Sequence, residues 1–271
     1  MTNWIKSAFM VIDTGPAEIY ENQIVPAIFI PWGEELIALA APQPGEHVLD
    51  LACGTGAVTR IAAARVGGSG HCVGFDSDPA MLAVAARICP DVTWDEGDVA
   101  AMPYEDGMFD LVLCQQGLQF FPDRPTALAE AQRVLRPGGR FGLVIWRAIE
   151  FCPGHGAIFA ELGARLGPAS GNPTMFSLYD QAEIGGLFTD AGFVDIDMRS
   201  RTLMSRYPSA RQFVEWVIAG ASKITRVALA QVADDEREAF IDAVVARLEP
   251  YRDGGTLALP MAATLLTASR D

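Results

Sequence analysis

The run His47-Val48-Leu49-Asp50-Leu51 is apolar and closes on Ala52-Cys53-Gly54-Thr55-Gly56, after which a helical pattern runs from Ala57 to about Val66. Strand, glycine turn and helix in that order form the unit of a parallel sheet, because a parallel pair needs a crossover that a hairpin cannot supply. The unit repeats. Cys72-Val73-Gly74-Phe75-Asp76 reads as a second strand, Asp78 with Pro79 as an N-cap followed by proline at the first helical position, and Ala80 to Cys89 as its helix. Val92 to Glu96 is predicted as a third strand and Phe109-Asp110-Leu111-Val112-Leu113-Cys114 as a fourth. A helix from about Pro125 to Leu135 stops at Arg136-Pro137-Gly138-Gly139, the turn that launches a fifth strand from Arg140 to Trp146. The fold class is therefore α/β, a Rossmann-like, doubly wound, mostly parallel sheet with helices on both faces.

The segments on either side are less regular. A short helix from Glu34 to Ala41 ends at the breakers Pro42-Gln43-Pro44-Gly45. Beyond Trp146 the rhythm breaks: Phe151-Cys152-Pro153-Gly154-His155-Gly156 opens a Gly- and Pro-rich segment that reaches about Thr174 with one helix in it, an expected insertion over the site. Helices follow over Gln181 to Ala191, Pro208 to Ala221 and Asp235 to Glu249, with strands at Gly192 to Ile196 and Leu257 to Thr267. With 271 residues, half of them hydrophobic, the chain reads as one domain: a lid over 1–45, a core over 46–147 and a covering segment with the rest of the sheet over 148–271.

Composition removes several functions. A formal charge of -14 repels a phosphate backbone, so nucleic acid is excluded as a partner. The five cysteines include no CxxC pair and no histidine cluster, which argues against a disulfide framework or a zinc site and fits a reduced cytoplasm. The apolar stretch Ala8 to Ile12 after Lys6 is too short for a signal peptide, and no run of about 18 apolar residues lacks a charge or breaker, so no membrane span is expected.

Glycines between a parallel strand and a helix let a ligand approach the backbone and the helix N-terminus. A dinucleotide fingerprint wants a third glycine three residues after Gly56, where this chain has Thr59. Asp50, at the end of the first strand, would also repel a pyrophosphate but attract the ammonium of an amino-acid-bearing cofactor.

At this point Val48-Leu49-Asp50-Leu51-Ala52-Cys53-Gly54-Thr55-Gly56 resembles motif I of the class I SAM-dependent methyltransferases. Asp76 ends the second strand, Gly97-Asp98-Val99 follows the third, Phe109 to Gln116 resembles motif IV, and Leu135-Arg136-Pro137-Gly138-Gly139 resembles the turn before the fifth strand. The likeness is closest to the small-molecule branch with the ubiquinone and menaquinone methyltransferases, and covers Tyr20 to Trp146. It implies a seven-stranded sheet with an antiparallel last strand, an N-terminal helical lid and S-adenosyl-L-methionine as cofactor. It implies Asp50, Ala52, Cys53, Gly54 and Gly56 around the methionine end, Asp76, Ser77 and Met81 around ribose and adenine, Gly97, Asp98 and Val99 at the base, Gln115 and Gln116 as a floor, and Tyr20 and Trp32 as cover. Ala52 departs from the pattern, standing where the family has its first glycine.

A sulfonium is already a strong methyl donor, so such a protein aligns and desolvates the reactants and needs a base only for a protonated acceptor. Where quinone-type relatives often carry a His after motif IV, this chain has Leu118-Gln119-Phe120-Phe121, which leaves His155 as the candidate base. Cys114 and Gln115 at the fourth strand's end offer no carboxylate for a hard cation, so no metal is expected. Phe151, Phe159, Met175, Phe176, Phe213 and Trp216 populate the covering region and suggest a small apolar or aromatic acceptor methylated at O, N or C. Two other functions stay open: a SAM-binding protein without transferase activity, and an NAD-dependent oxidoreductase. The oligomeric state, with a homodimer among the options, stays open too.

Overall fold

A computed structural model describes residues 15–168, 170–171, 173–219 and 234–271. The expected stretch Ala8 to Ile12 and the end of the helix expected to reach Ala221 lie outside them. The chain divides into two compact units.

The first unit, Phe29–Pro153 with Pro173–Met204 and Pro260–Asp271, carries the sheet. Its strands in chain order are β1 (His47–Leu51), β2 (His71–Asp76), β3 (Thr93–Glu96), β4 (Phe109–Gln115), β5 (Leu135–Trp146), β6 (Phe193–Tyr207), β7 (Arg252–Asp253) and β8 (Thr256–Arg270), the last three reaching into or lying within the second unit. The order across the sheet is β3-β2-β1-β4-β5-β8-β6, with the two-residue β7 beside β8. β1 through β5 pair in parallel, and β8 runs antiparallel to β5 with Arg140 opposite Ser269 and Trp146 opposite Ala263. The expected parallel sheet with an antiparallel last strand is observed; β7 is an added pairing, too short for sequence periodicity to reveal.

The crossover helices are α2 (Ala57–Val66), α3 (Pro79–Ile88), α4 (Arg124–Val134) and α6 (Gln181–Asp190). Each of the last three starts on an aspartate whose carboxylate accepts a first-turn N–H: Asp78 from Ala80, Asp123 from Thr126 and Asp180 from Ala182. β1, β2, β4 and the end of β5 are apolar on both faces because helices cover both, and Leu49, Phe75, Phe109, Phe141, Phe188 and Phe193 form the centre of one core. Asp50 and Asp76 thus come to the carboxyl ends of adjacent parallel strands, β1 and β2.

The N-terminal helix differs most from expectation. Instead of Glu34 to Ala41 it is one helix, α1 (Pro16–Ala40), with a π-helical middle over Tyr20–Phe29 that contains Pro26. It is 25 residues long and apolar enough to cross a membrane by length and composition alone, although Glu18, Glu21, Pro26, Pro31, Glu34 and Glu35 interrupt it with charges and breakers. Its Ile30–Ala40 part is packed into the sheet unit, burying Trp32, Leu36, Ile37 and Ala40.

The second unit gathers the described residues of Met1–Ile28, Gly154–Asn172 and Ser205–Leu259. It contains α5 (Pro153–Leu166) from its second residue, α7 (Ala210–Ala219) and α8 (Asp234–Leu248). Glu161 of α5 pairs with Arg165 and with Arg247 of α8, and Arg211 of α7 with Glu238 of α8.

Candidate functional site: a glycine turn between two carboxylates

Immediately after β1 the backbone turns through three left-handed residues, Ala52 (φ 53°), Gly54 (φ 56°) and Gly56 (φ 82°). Glycine adopts this region freely, whereas an alanine there costs about 1 kcal/mol or more, so the surroundings must hold Ala52 in place. Cys53 N–H donates to Phe75 O at 3.2 Å and Gly56 N–H to Cys53 O at 2.9 Å. Asp76 completes the turn: Oδ2 accepts Gly54 N–H at 2.7 Å and Oδ1 accepts Asp78 N–H at 2.9 Å. One carboxylate therefore fixes both the glycine turn and the entry to α3. Gly56 has a second reason to be glycine, since a Cβ there would lie 2.2 Å from Cη2 of Trp94, whose ring is anchored by Nε1–H on Cys89 O at 2.9 Å.

Asp50 is 2% exposed, and its Oδ2 accepts the Thr59 hydroxyl at 2.6 Å. Burial pushes its carboxyl up to about 7; the Thr59 hydrogen bonds oppose that rise and the charge of Asp76 adds to it. Thr59, from sequence only the wrong residue for a dinucleotide site, is thus the partner of the buried acid. Burial, with Asp50 and Asp76 nearby, holds the Cys53 thiol well above its usual range, so Cys53 lines the turn as a neutral thiol.

Gly97, Asp98 and Val99 follow β3 beside Asp76: Gly97 N–H donates to Asp76 O at 3.0 Å, and a Cβ on Gly97 would lie 2.5 Å from Cζ of Phe75. The Asp98 carboxylate accepts Ala100 N–H at 2.9 Å, a local turn bond. Ser77 is exposed after β2, and Met81 is half-buried in α3.

At the end of β4, Gln116 is left-handed (φ 58°), its N–H donates to Val144 O at 2.9 Å, and its Oε1 accepts Trp146 N–H and Gln119 Nε2–H, both at 3.1 Å. Gln115 Nε2 donates to Phe29 O at 2.9 Å. Gln115 Oε1, Gln116 Nε2, Gln119 Oε1 and Trp32 Nε1 are buried without a hydrogen-bond partner among the described residues. Gln119 was not legible as a site group in the sequence, where the one signal was that it stands in the tract in which quinone-type relatives often carry a His; Trp32 was expected as cover, without its unpaired N–H.

The structure brings Trp32 and every expected site residue from Asp50 to Gln116 into the sheet unit, while Tyr20 and His155 belong to the other unit. His155 lies in the first turn of α5, is 3% exposed and packs edge-on against Phe213 with ring centroids 5.6 Å apart. Burial pulls its imidazole down to about 4. Among the described residues no group of three His, Cys, Asp or Glu is placed to hold a metal ion.

Fold and site together define a Rossmann-like α/β protein with a glycine turn at the carboxyl end of its first strand. Residues 48–139 match the family described as methyltransferase domain. Nocamycin O-methyltransferase of Saccharothrix syringae is 32% identical over 246 residues, covering 84% of this chain and 87% of that protein. The 2-phytyl-1,4-naphtoquinone methyltransferase of Synechococcus elongatus is 36% identical over 137 residues, 47% of this chain, and the match spans only 59% of that protein's length. Among solved structures, the YcgJ protein of Bacillus subtilis shares the fold with a TM-score of 0.58 at 18% identity, over 88% of this chain and 97% of that one. The chain belongs to the S-adenosylmethionine-dependent methyltransferases.

Proposed function

We propose that this protein transfers a methyl group from S-adenosyl-L-methionine to an O, N or C atom of a small apolar or aromatic metabolite. The observation that carries the reading is the glycine turn between Asp50 and Asp76, with Gly54 N–H on Asp76 Oδ2 at 2.7 Å and Asp50 buried behind it. The names of the relatives, one acting on a phytyl naphthoquinone and one bearing the name of nocamycin, support a small acceptor.

When bound, the sulfonium supplies an activated methyl group, and the protein's task is to orient and desolvate it. Asp50 attracts the ammonium of the methionine end, where Ala52, Cys53, Gly54 and Gly56 shape the backbone. Asp76 accepts ribose hydroxyls with the lone pairs its two backbone donors leave open, since each carboxylate oxygen takes more than one hydrogen bond. Ser77, Met81, Gly97, Asp98 and Val99 receive the base, Gln115 and Gln116 form the floor, and Tyr20 and Trp32 act as cover. We also propose a cytoplasmic location, with Ile30–Ala40 buried in the protein rather than in lipid, and a single methyltransferase domain over 1–271; His155 is kept as the candidate base.

Calorimetry tests this with S-adenosylhomocysteine and NAD as separate ligands. The expected outcome is micromolar binding of S-adenosylhomocysteine, none of NAD, and at least about tenfold weaker binding in Asp76→Ala. NAD binding, or indifference to the substitution, overturns the reading.

A further inference from the structure

A carboxamide has a donor half and an acceptor half, and only what each half faces decides which is which. Around β4 the backbone decides it. Trp146 N–H can donate only to an oxygen, so the Gln116 atom 3.1 Å away is Oε1 and its amide nitrogen faces elsewhere. The Gln119 atom sharing that oxygen at 3.1 Å is then Nε2, which leaves Gln119 Oε1 pointing away. Gln115 is fixed in the same way by Phe29 O. A donor on Gln116, an acceptor on Gln119, an acceptor on Gln115 and the indole N–H of Trp32 remain unpaired on side chains 7%, 2%, 8% and 1% exposed. Native interiors seldom leave one such group without a partner, so four around one strand end point to a ligand that supplies the partners.

We propose that the amide of Gln119, joined to that of the floor residue Gln116, forms a polar subsite for the methyl acceptor, and that the pair selects a flat apolar molecule that carries both a hydrogen-bond donor and an acceptor, such as an aromatic diol. The inference rests on the methyltransferase reading. One hydrogen bond joins the two amides and leaves each with one unpaired half, a donor on Gln116 and an acceptor on Gln119, and the complement of that set is an acceptor and a donor carried by one molecule. Gln119 lies in the turn Leu118–Phe120 beyond the residues that the family resemblance gives to the cofactor, and Arg124 Nη2 holds the turn by donating to Gln119 O at 3.1 Å. The apolar body has apolar company in Trp32 and Trp146, whose rings meet edge to face at 5.7 Å. Neither amide exchanges a proton, so Gln119 is a positioning residue.

The test is calorimetric titration of the full chain, loaded with S-adenosylhomocysteine, with 2,3-dihydroxynaphthalene and with 2,3-dimethoxynaphthalene, which lacks the donors. The diol is expected to bind at least about tenfold tighter in the wild type. Gln119→Leu is expected to shrink that ratio below about threefold while S-adenosylhomocysteine affinity stays within about twofold, a pattern that general loosening of the fold would not give. Gln119→Met serves if the leucine variant fails to fold. A wild-type ratio below about threefold, or an undiminished ratio in the variant, overturns the proposal. Failure of the wild type to bind S-adenosylhomocysteine would overturn the cofactor reading instead, and the same titration without it would then decide the subsite alone.

Discussion

The methyl group of Ala52 fits its left-handed turn because residue 117 has no side chain: a Cβ on Gly117 would lie 2.6 Å from Ala52 Cβ and 2.9 Å from Cys114 Sγ. The departure from the family's glycine at 52 is thus matched across the turn. Gly117→Ala is expected to destabilise by about 1–3 kcal/mol through overpacking. In an Ala52→Gly background the same substitution should cost about 1 kcal/mol less, since one of the two close neighbours is gone. Urea denaturation of the four proteins closes the cycle, and strict additivity would show that the two residues do not share this space.

Asp50 supplies a signal of cofactor binding. With its carboxyl at about 7, it is about half protonated at pH 7 in the free protein. An ammonium placed beside it favours the charged form, so S-adenosylhomocysteine should release roughly half a proton at pH 7 and bind more tightly as pH rises through that value. Calorimetry in phosphate and in Tris reads the proton directly. Asp50→Asn should abolish the release; equal heats in both buffers for the wild type would place the ammonium elsewhere.

Legibility followed the range of the interactions. The turn from Asp50 to Gly56 and the aspartates closing β1 and β2 were readable because backbone conformation and strand ends are written in consecutive residues. The caps at Asp78 and Pro79 were readable for the same reason. Thr59 as partner of Asp50 spans nine positions and needs the helix to be wound before the hydroxyl and the carboxylate meet. Gln116 with Trp146, 30 positions apart, needs the sheet to be assembled. The apolar face from Glu34 to Ala41 marks only the last turns of α1; the preceding turns carry Pro31 at the start of the Ile30–Ala40 α-helical stretch and Pro26 inside the π-helical one, residues that local sequence patterns do not place in a helix interior.

Asp76 and Asp98 should fail differently. Asp76→Ala strands the N–H groups of Gly54 and Asp78, so it should lower stability by about 1–3 kcal/mol along with ligand affinity. Asp98 is exposed and caps only Ala100, so Asp98→Ala should cost within about 0.5 kcal/mol of stability while still weakening S-adenosylhomocysteine. Paired melting curves and binding isotherms separate the two, and equal stability losses would show that the Asp76 bonds do not hold the turn.

Two buried groups should tilt the pH dependence of stability in opposite directions. Asp50 rises from 3.8 to about 7 on folding, so between those values the folded chain holds a proton that the unfolded chain has lost, and stability falls as pH rises. His155 drops from 6.5 to about 4, so between those values the unfolded chain holds the extra proton and stability rises with pH. Integrated over its window, the Asp50 contribution is about 4 kcal/mol and the His155 contribution about 3 kcal/mol, so in the wild type the two largely offset each other between pH 4 and 7. Denaturation across that range should show stability falling with pH in His155→Gln and rising in Asp50→Asn; two profiles as flat as the wild type would mean that neither group is buried as described. The same His155 variant tests the base. An imidazole at about 4 is neutral at pH 7, so a catalytic role predicts a kcat loss of at least about a hundredfold across the neutral range, whereas a packing role against Phe213 leaves kcat near wild type and lowers only stability.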